Sequence, residues 1–298
     1  MVRKIKEEEF KGEMIPIKNN MPGKSLRNIV NAELKKGSTH TEMTINFMKS
    51  NKNKVNVNPS YYNADTVIAQ YVTKNNLSKE QERTLIEASK MDNKINSSNH
   101  QAFSISTFVA SQLYDPEISK VNVHEMSKDD VEKHIAKIHT GITNILNNIS
   151  GEHETYIAKY TDKIITEASK IRKMAKENTI DELVSNKTIV NKLNDKGYVF
   201  VKIAEEEYID SHSLALAANA NEKMFIFLKG ERVILRAVNG KIKSGLYKTL
   251  NDEENKYRKT AANVNQIDSW NGSEKSGGSP IDGTKIPFER IALILSLY

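Results

Sequence analysis

Gly197-Tyr198-Val199-Phe200-Val201-Lys202-Ile203 decides the fold class of this chain. Its β-branched and aromatic residues fit a pleated strand, and it stands where the pattern of the chain changes. Upstream, glycine is absent between positions 38 and 140, and proline occurs there only at 59 and 116. A span so poor in chain breakers reads as helix. Ser78 followed by Gln81 three residues later is a capping-box signature ahead of Leu85, Ile86 and Met91. Ile105, Phe108, Val109 and Leu113 form an apolar stripe that should stop at Asp115-Pro116, because the residue before proline is pushed out of the helical region.

The clearest periodicity comes next. Val131, Ile135, Ile138, Ile142, Ile145 and Ile149 alternate spacings of four and three, with Ser127 placed to cap the helix. Beyond Ser150-Gly151 a second seam follows: Ile157, Thr161, Ile164, Ala168, Ile171 and Ala175. Gly151 either breaks the two into a hairpin or is passed through by one long helix. Seams this short pack inside a bundle, or else Ile135, Ile138, Ile142 and Ile145 form a self-association face.

Downstream of Ile203, residues 224–228 run to a turn at Lys229-Gly230-Glu231 and return over 233–238. Asn239-Gly240 favours a type I′ turn, which makes 241–247 a third strand. Residues 211–219 predict a short helix. Residues 273–280 read as a loop by composition, and an apolar segment starts at Ile286. The expected fold is α+β: a mainly helical lobe over 60–190, then a smaller lobe over 191–250 with an antiparallel β-meander. A basic polar arm over 1–59 precedes them. A polar extension with an apolar end, 251–298, follows.

Charge is distributed unevenly. Residues 1–60 carry 12 Lys and Arg against 6 Asp and Glu, and the rest of the chain carries 32 of each. The formal charge of +6 therefore belongs to the arm. Arg3, Lys4, Lys6, Lys11, Lys35, Lys36, Lys49, Lys52 and Lys54 are the residues expected to meet nucleic-acid phosphates and release their counterions. Lysine outnumbers arginine, which favours backbone contacts over base readout. A helix is expected inside the arm, capped by Ser25, striped by Leu26, Ile29, Val30 and Leu34, and ended at Gly37.

Several chemistries are disfavoured. The chain has no cysteine, which excludes disulfides, thiolate metal sites and cysteine nucleophiles. Its histidines lie at 40, 100, 124, 134, 139, 153 and 212 without metal-ligand spacing, so no metal is expected. Phosphate-cradling and nucleophile-elbow words are missing, and no cofactor is expected. Glu205-Glu206-Glu207 is the one run of carboxylates after a strand, and reads as a solvated loop. Glu167-Ala168-Ser169-Lys170 resembles the Glu-Ala-x-Arg word of ribosome-inactivating N-glycosidases, in which Glu167 would steady an oxocarbenium-like state. Lys170 replaces the arginine of that word, and the same four residues recur at Glu87-Ala88-Ser89-Lys90, which marks them as helix-surface composition.

No apolar run is long enough to span a membrane, and the basic start lacks the apolar stretch of a secretory signal. The sequence therefore points to a soluble chain, in a virion or the cytoplasm. Its expected role is a non-enzymatic assembly protein, coat- or nucleoprotein-like, with nucleic acid and further copies of itself as partners. The alternative is a bacterial effector or toxin, delivered without a secretory signal, whose catalytic or host-binding site is built from residues distant in sequence.

Overall fold

The computed structural model describes residues 13–14, 55–56, 64–91, 99–123, 125–177, 180–258, 269–272 and 274–298. The nine basic residues named above and the helix expected over 25–37 lie outside the described residues. The chain divides into two compact units, Met1–Lys163 and Ile164–Tyr298. The division falls inside a helix and not near 190, where the sequence reading set it. From Ala168 onward that helix is bound into the core of the second unit.

In the first unit, β1 (Glu13–Met14) and β2 (Val55–Asn56) pair in parallel. Helices α1 (Ala64–Lys74), α2 (Lys79–Ala88), α3 (His100–Tyr114), α4 (Pro116–Ser119) and α5 (Lys128–Leu146) follow. Helix α6 (Glu152–Glu177) begins in this unit and ends in the second. Ser78 and Gln81 close the capping box of α2, and Ser127 caps α5. Asp115 ends α3 and caps α4 by accepting from the N–H groups of Glu117 and Ile118.

Helix α3 is the central one. Every residue from Ile105 to Leu113 is buried, not only the predicted stripe. The polar residues in that run are tolerated because two of them bond back to their own helix. Thr107 Oγ1 donates to the Phe103 carbonyl and Ser111 Oγ to that of Phe108. Around α3 the core gathers Val67, Ile68 and Val72 of α1, Leu85 of α2, and Ile135, Ile138, Ile142 and Ile145 of α5.

The seam of α5 stops one residue short of the predicted Ile149, which is half exposed. The helix ends at Leu146, ahead of Gly151, and Asn148 follows its C-cap. Asn148 adopts φ 54°, its N–H bonds the Ile145 carbonyl, and the N–H of Ile149 bonds that of Asn144. This is a Schellman ending with asparagine in the left-handed place. Gln101 of α3 strengthens it, since its Nε2 donates to the carbonyls of Ile145 and Leu146.

The second unit is a three-layer arrangement. Its elements after α6 are α7 (Lys187–Asp195), β3 (Tyr198–Ile203), α8 (Ser211–Ala217), β4 (Met224–Lys229), β5 (Arg232–Ala237), α9 (Ser244–Arg258), β6 (Asn271–Gly272), β7 (Ser276–Gly278) and α10 (Phe288–Leu297). The strands form one sheet in the order β3-β4-β5-β7-β6. β3 runs parallel to β4, with α8 as the crossover, and the other pairs are antiparallel. Side chains alternate between two faces. Phe200, Met224, Ile226, Val233 and Leu235 pack against Leu193, Leu250, Ile291 and Leu295 of α7, α9 and α10. Val201, Phe225 and Phe227 pack on the opposite face against Ala168 and Ile171 of α6 and Leu214 of α8.

The α+β class is therefore observed, with two corrections. Residues 244–258 are helix, so the third strand expected over 241–247 does not form. Ile242, Leu246 and Leu250 are buried at spacings of four, which fit alternation as well as a helix; the burial of both Glu253 and Glu254 at adjacent positions is what breaks alternation. Asn239 makes no hairpin turn, because its side-chain amide donates to the carbonyls of Asn219 and Glu222. The strand beside β5 is instead β7, inside the segment read as loop. Gly277 is needed there for close approach, since a Cβ would sit 2.1 Å from the Tyr247 hydroxyl.

Candidate functional site

The four seam isoleucines, Ile135, Ile138, Ile142 and Ile145, are at most 6% exposed and are consumed by the core of the first unit. They present no apolar seam to a second copy. Among the histidines, His134 Nε2 lies 3.0 Å from the Gln112 carbonyl oxygen and His139 Nε2 3.1 Å from that of Val67. Burial holds the His139 imidazole below its ordinary value, against the pull of the Val67 carbonyl. His212 is fully enclosed and is also lowered by burial, with Asp210 opposing. Among the described residues no cluster of histidine and carboxylate side chains is placed to hold a metal ion.

The word at Glu167–Lys170 is a structural clip. Glu167 Oε2 accepts from the buried Ser213 hydroxyl at 2.7 Å, tying α6 to α8. Lys170 pairs with Glu207. Glu207 also accepts Lys229 Nζ at its carbonyl. Of the carboxylate run, Glu205 lies over Gly230, where a Cβ would meet its Oε1 at 2.4 Å, and Glu206 is exposed.

The described structure does hold one ligand-sized cleft that no sequence signal marked. It measures about 460 Å³ and opens beyond the carboxyl ends of the parallel strands β3 and β4. In open α/β sheets this is the end at which ligands bind. Its walls are Ile203 of β3, Leu228 of β4, Val233 of β5, and Leu183, Ile286, Phe288 and Ile291. Lys202, Glu231 and Thr284 supply the polar rim. A larger depression of about 600 Å³ lies along the charged face of α2, but among the described residues its lining comes from that helix and Lys90 alone and supplies no opposing wall.

The loop that walls the cleft is held by a buried polar network. Glu254 of α9 is 2% exposed and accepts from Arg258 Nε, Trp270 Nε1, Thr284 Oγ1 and the N–H of Lys285, at 2.6–2.9 Å. Burial opposes its charge, but these donors, Thr284 first, outweigh that and keep its carboxyl below the ordinary range. Arg258 adds a two-pronged pair to Asp282 at 2.8 and 2.9 Å and donates to the Gly283 carbonyl. The guanidinium is pushed up by Asp282 and Asp282 is lowered by Arg258. Thr284 N–H then reaches the Glu231 carbonyl, and Lys285 Nζ pairs with Glu231 Oε2 at 2.9 Å. Residues 282–285 are thus held both by α9 and by Glu231. The only sequence trace of this network was Glu254 and Arg258 four apart, a spacing that usually marks an exposed helical pair.

Fold and site together define a mixed α+β chain with a helical first unit and a three-layer second unit that carries an apolar cleft at its strand ends. Compared with known protein families, curated proteins and solved structures, the chain matches none.

Proposed function

We propose that this chain is a non-enzymatic assembly protein whose basic N-terminal residues bind nucleic-acid phosphates without sequence preference. The observation that carries this reading is the confinement of the positive charge to residues 1–60, ahead of a remainder in which acids and bases balance. A stretch with twice as many cations as anions draws in a polyanion and releases its counterions, whereas a balanced body gives no such drive. The conspicuous ionisable groups of the second unit support the same reading, because Glu167, Glu254 and Arg258 spend their hydrogen bonds on holding elements together.

The test is fluorescence anisotropy with a single-stranded homopolymer and a mixed-sequence duplex, for the full chain and for a chain lacking residues 2–58. The full chain is expected to bind both with similar affinity and a steep inverse dependence on salt. Binding should vanish on deletion. Salt-independent binding, or retention of binding after deletion, would sink the proposal. The effector reading draws on the cleft as a host-ligand site. It gains if the full chain ignores both nucleic acids and remains monomeric by light scattering.

A further inference from the structure

Strand β3 stands at the edge of its sheet, with β4 as its one neighbour. Its six residues pair with β4 in an unbroken register, with no bulge and no proline. Among the described residues, no backbone hydrogen bond reaches Tyr198–Ile203 from the outer side. Such an edge is a template for another strand unless it is blunted. Lys202 is the one residue here of the blunting kind. It is exposed and has no ion-pair partner among the described residues.

The cleft opens beside the same strand, with Lys202 and Ile203 in its lining. An edge that demands backbone partners thus adjoins a cleft of about 460 Å³ walled mainly by aliphatic and aromatic side chains, with Lys202, unpaired among the described residues, at its rim. These are the parts of a strand-addition site: main-chain bonds supply affinity and a side-chain pocket supplies selectivity. We propose that β3 and the cleft form one docking site for an extended peptide of a partner protein. Its backbone extends the sheet at β3. One bulky aliphatic or aromatic side chain enters the cleft, and a neighbouring carboxylate meets Lys202. A second copy's β3 fits less well, because Phe200, Val201 and Ile203 are at most 9% exposed within their own unit and none is left to fill the cleft. The proposal goes beyond the nucleic-acid reading and does not need residues 1–59.

The test starts from a phage-displayed random octapeptide library selected on the full-length chain. Enriched peptides should share a Leu, Ile, Met or Phe beside an Asp or Glu. The strongest is then synthesised and followed by fluorescence anisotropy. Replacing its apolar anchor by alanine should weaken binding at least tenfold. N-methylation should weaken it at least tenfold at alternate backbone positions and be tolerated at the positions between. Lys202→Glu, at an exposed position that leaves the fold intact, should weaken it about tenfold. Any one of three results overturns the proposal: no enrichment, tolerance of N-methylation at every position, or a chain that dimerises with its β3 amides protected from hydrogen exchange. A chain lacking residues 2–58 should bind the peptide unchanged, which separates this result from the fate of the nucleic-acid reading.

Discussion

The two units solve the problem of buried polar groups differently. In the first, buried polar side chains are satisfied in small separate groups, such as Asp115 with the N–H groups of Glu117 and Ile118 and the Lys163 ammonium. Thr107 and Ser111 return to their own helix, Gln101 closes the end of α5, and the His134 and His139 rings each meet one carbonyl. In the second, Glu254 and Arg258 bind each other and gather Trp270, Asp282, Gly283, Thr284 and Lys285 from distant parts of the chain. A helical bundle satisfies its backbone within each element, so side chains have little to mend. A sheet unit with an irregular wall has loop groups to satisfy, and a buried charged cluster does it. Such a cluster gathers many bonds in one place, so its loss should be felt more than the loss of any one bond in the first unit.

The largest expected effect tests that contrast directly. Glu254→Ala strands the Trp270 indole and one face of Arg258, and should cost about 3–5 kcal/mol, as for a broken buried ion pair. Urea denaturation followed by Trp270 fluorescence measures it; Trp270 is the chain's single tryptophan and donates to Glu254. Ile142→Ala, at a fully buried site of the first unit, should cost about 2–4 kcal/mol through the cavity it leaves. Circular dichroism is the readout there. If the two costs exchange rank by more than about 2 kcal/mol, a difference large beside the error of such measurements, the contrast is wrong.

Gly141→Ala is the sharper probe of the first unit. Helix propensity alone promises a gain of about 1 kcal/mol in mid-helix. The structure places the new Cβ 2.2 Å from the Phe108 ring. Overpacking should reverse the sign and destabilise by about 1–3 kcal/mol. A rise in melting temperature would refute the packing of α3 on α5.

Acid should weaken the second unit over a defined pH window. Hydrogen bonds from Arg290 and then Lys256 hold the Glu253 carboxyl down to about 2, and Asp282 and Glu254 are lowered too. A carboxyl lowered by folding stabilises the native state above its unfolded value and loses that contribution as pH falls through the folded one. The second unit should therefore weaken as pH drops from about 4.5 toward 2. Trp270 fluorescence reports it, and Glu253→Gln should flatten the profile. His139 and His212, lowered by burial, should add a shallower loss as pH falls below about 6.5, one in each unit. The smallest expected effect is Ser78→Ala, which opens the capping box of α2 at a cost of about 1 kcal/mol.

Legibility followed the same divide. The capping box at Ser78, the stop at Asp115-Pro116 and the seam from Val131 to Ile145 were readable because helix signals lie within a few residues of one another. The β4-β5 hairpin was readable for the same reason, through its short turn at Gly230. The parallel pairing of β3 with β4, the place of β7 beside β5 and the helix at 244–258 were not. Each depends on partners separated by tens of residues, and the local pattern of 241–247 fits two periods equally. The cleft and its Glu254 network were invisible for the same cause: Leu183, Lys202, Glu231, Glu254 and Thr284 share no spacing in sequence.

By itself, then, the order of residues determined which stretches coil, where those coils start and stop, and that the surplus cations crowd into the first sixty positions. Tertiary structure alone decided that the isoleucine seam is spent inside one unit, that a glycine- and serine-rich stretch becomes a strand, and that the edge strand β3 borders a cleft. Local hydrogen bonds and side-chain period are written along the chain, but pairing across a sheet and the closure of a cavity depend on contacts that only the folded chain brings into reach.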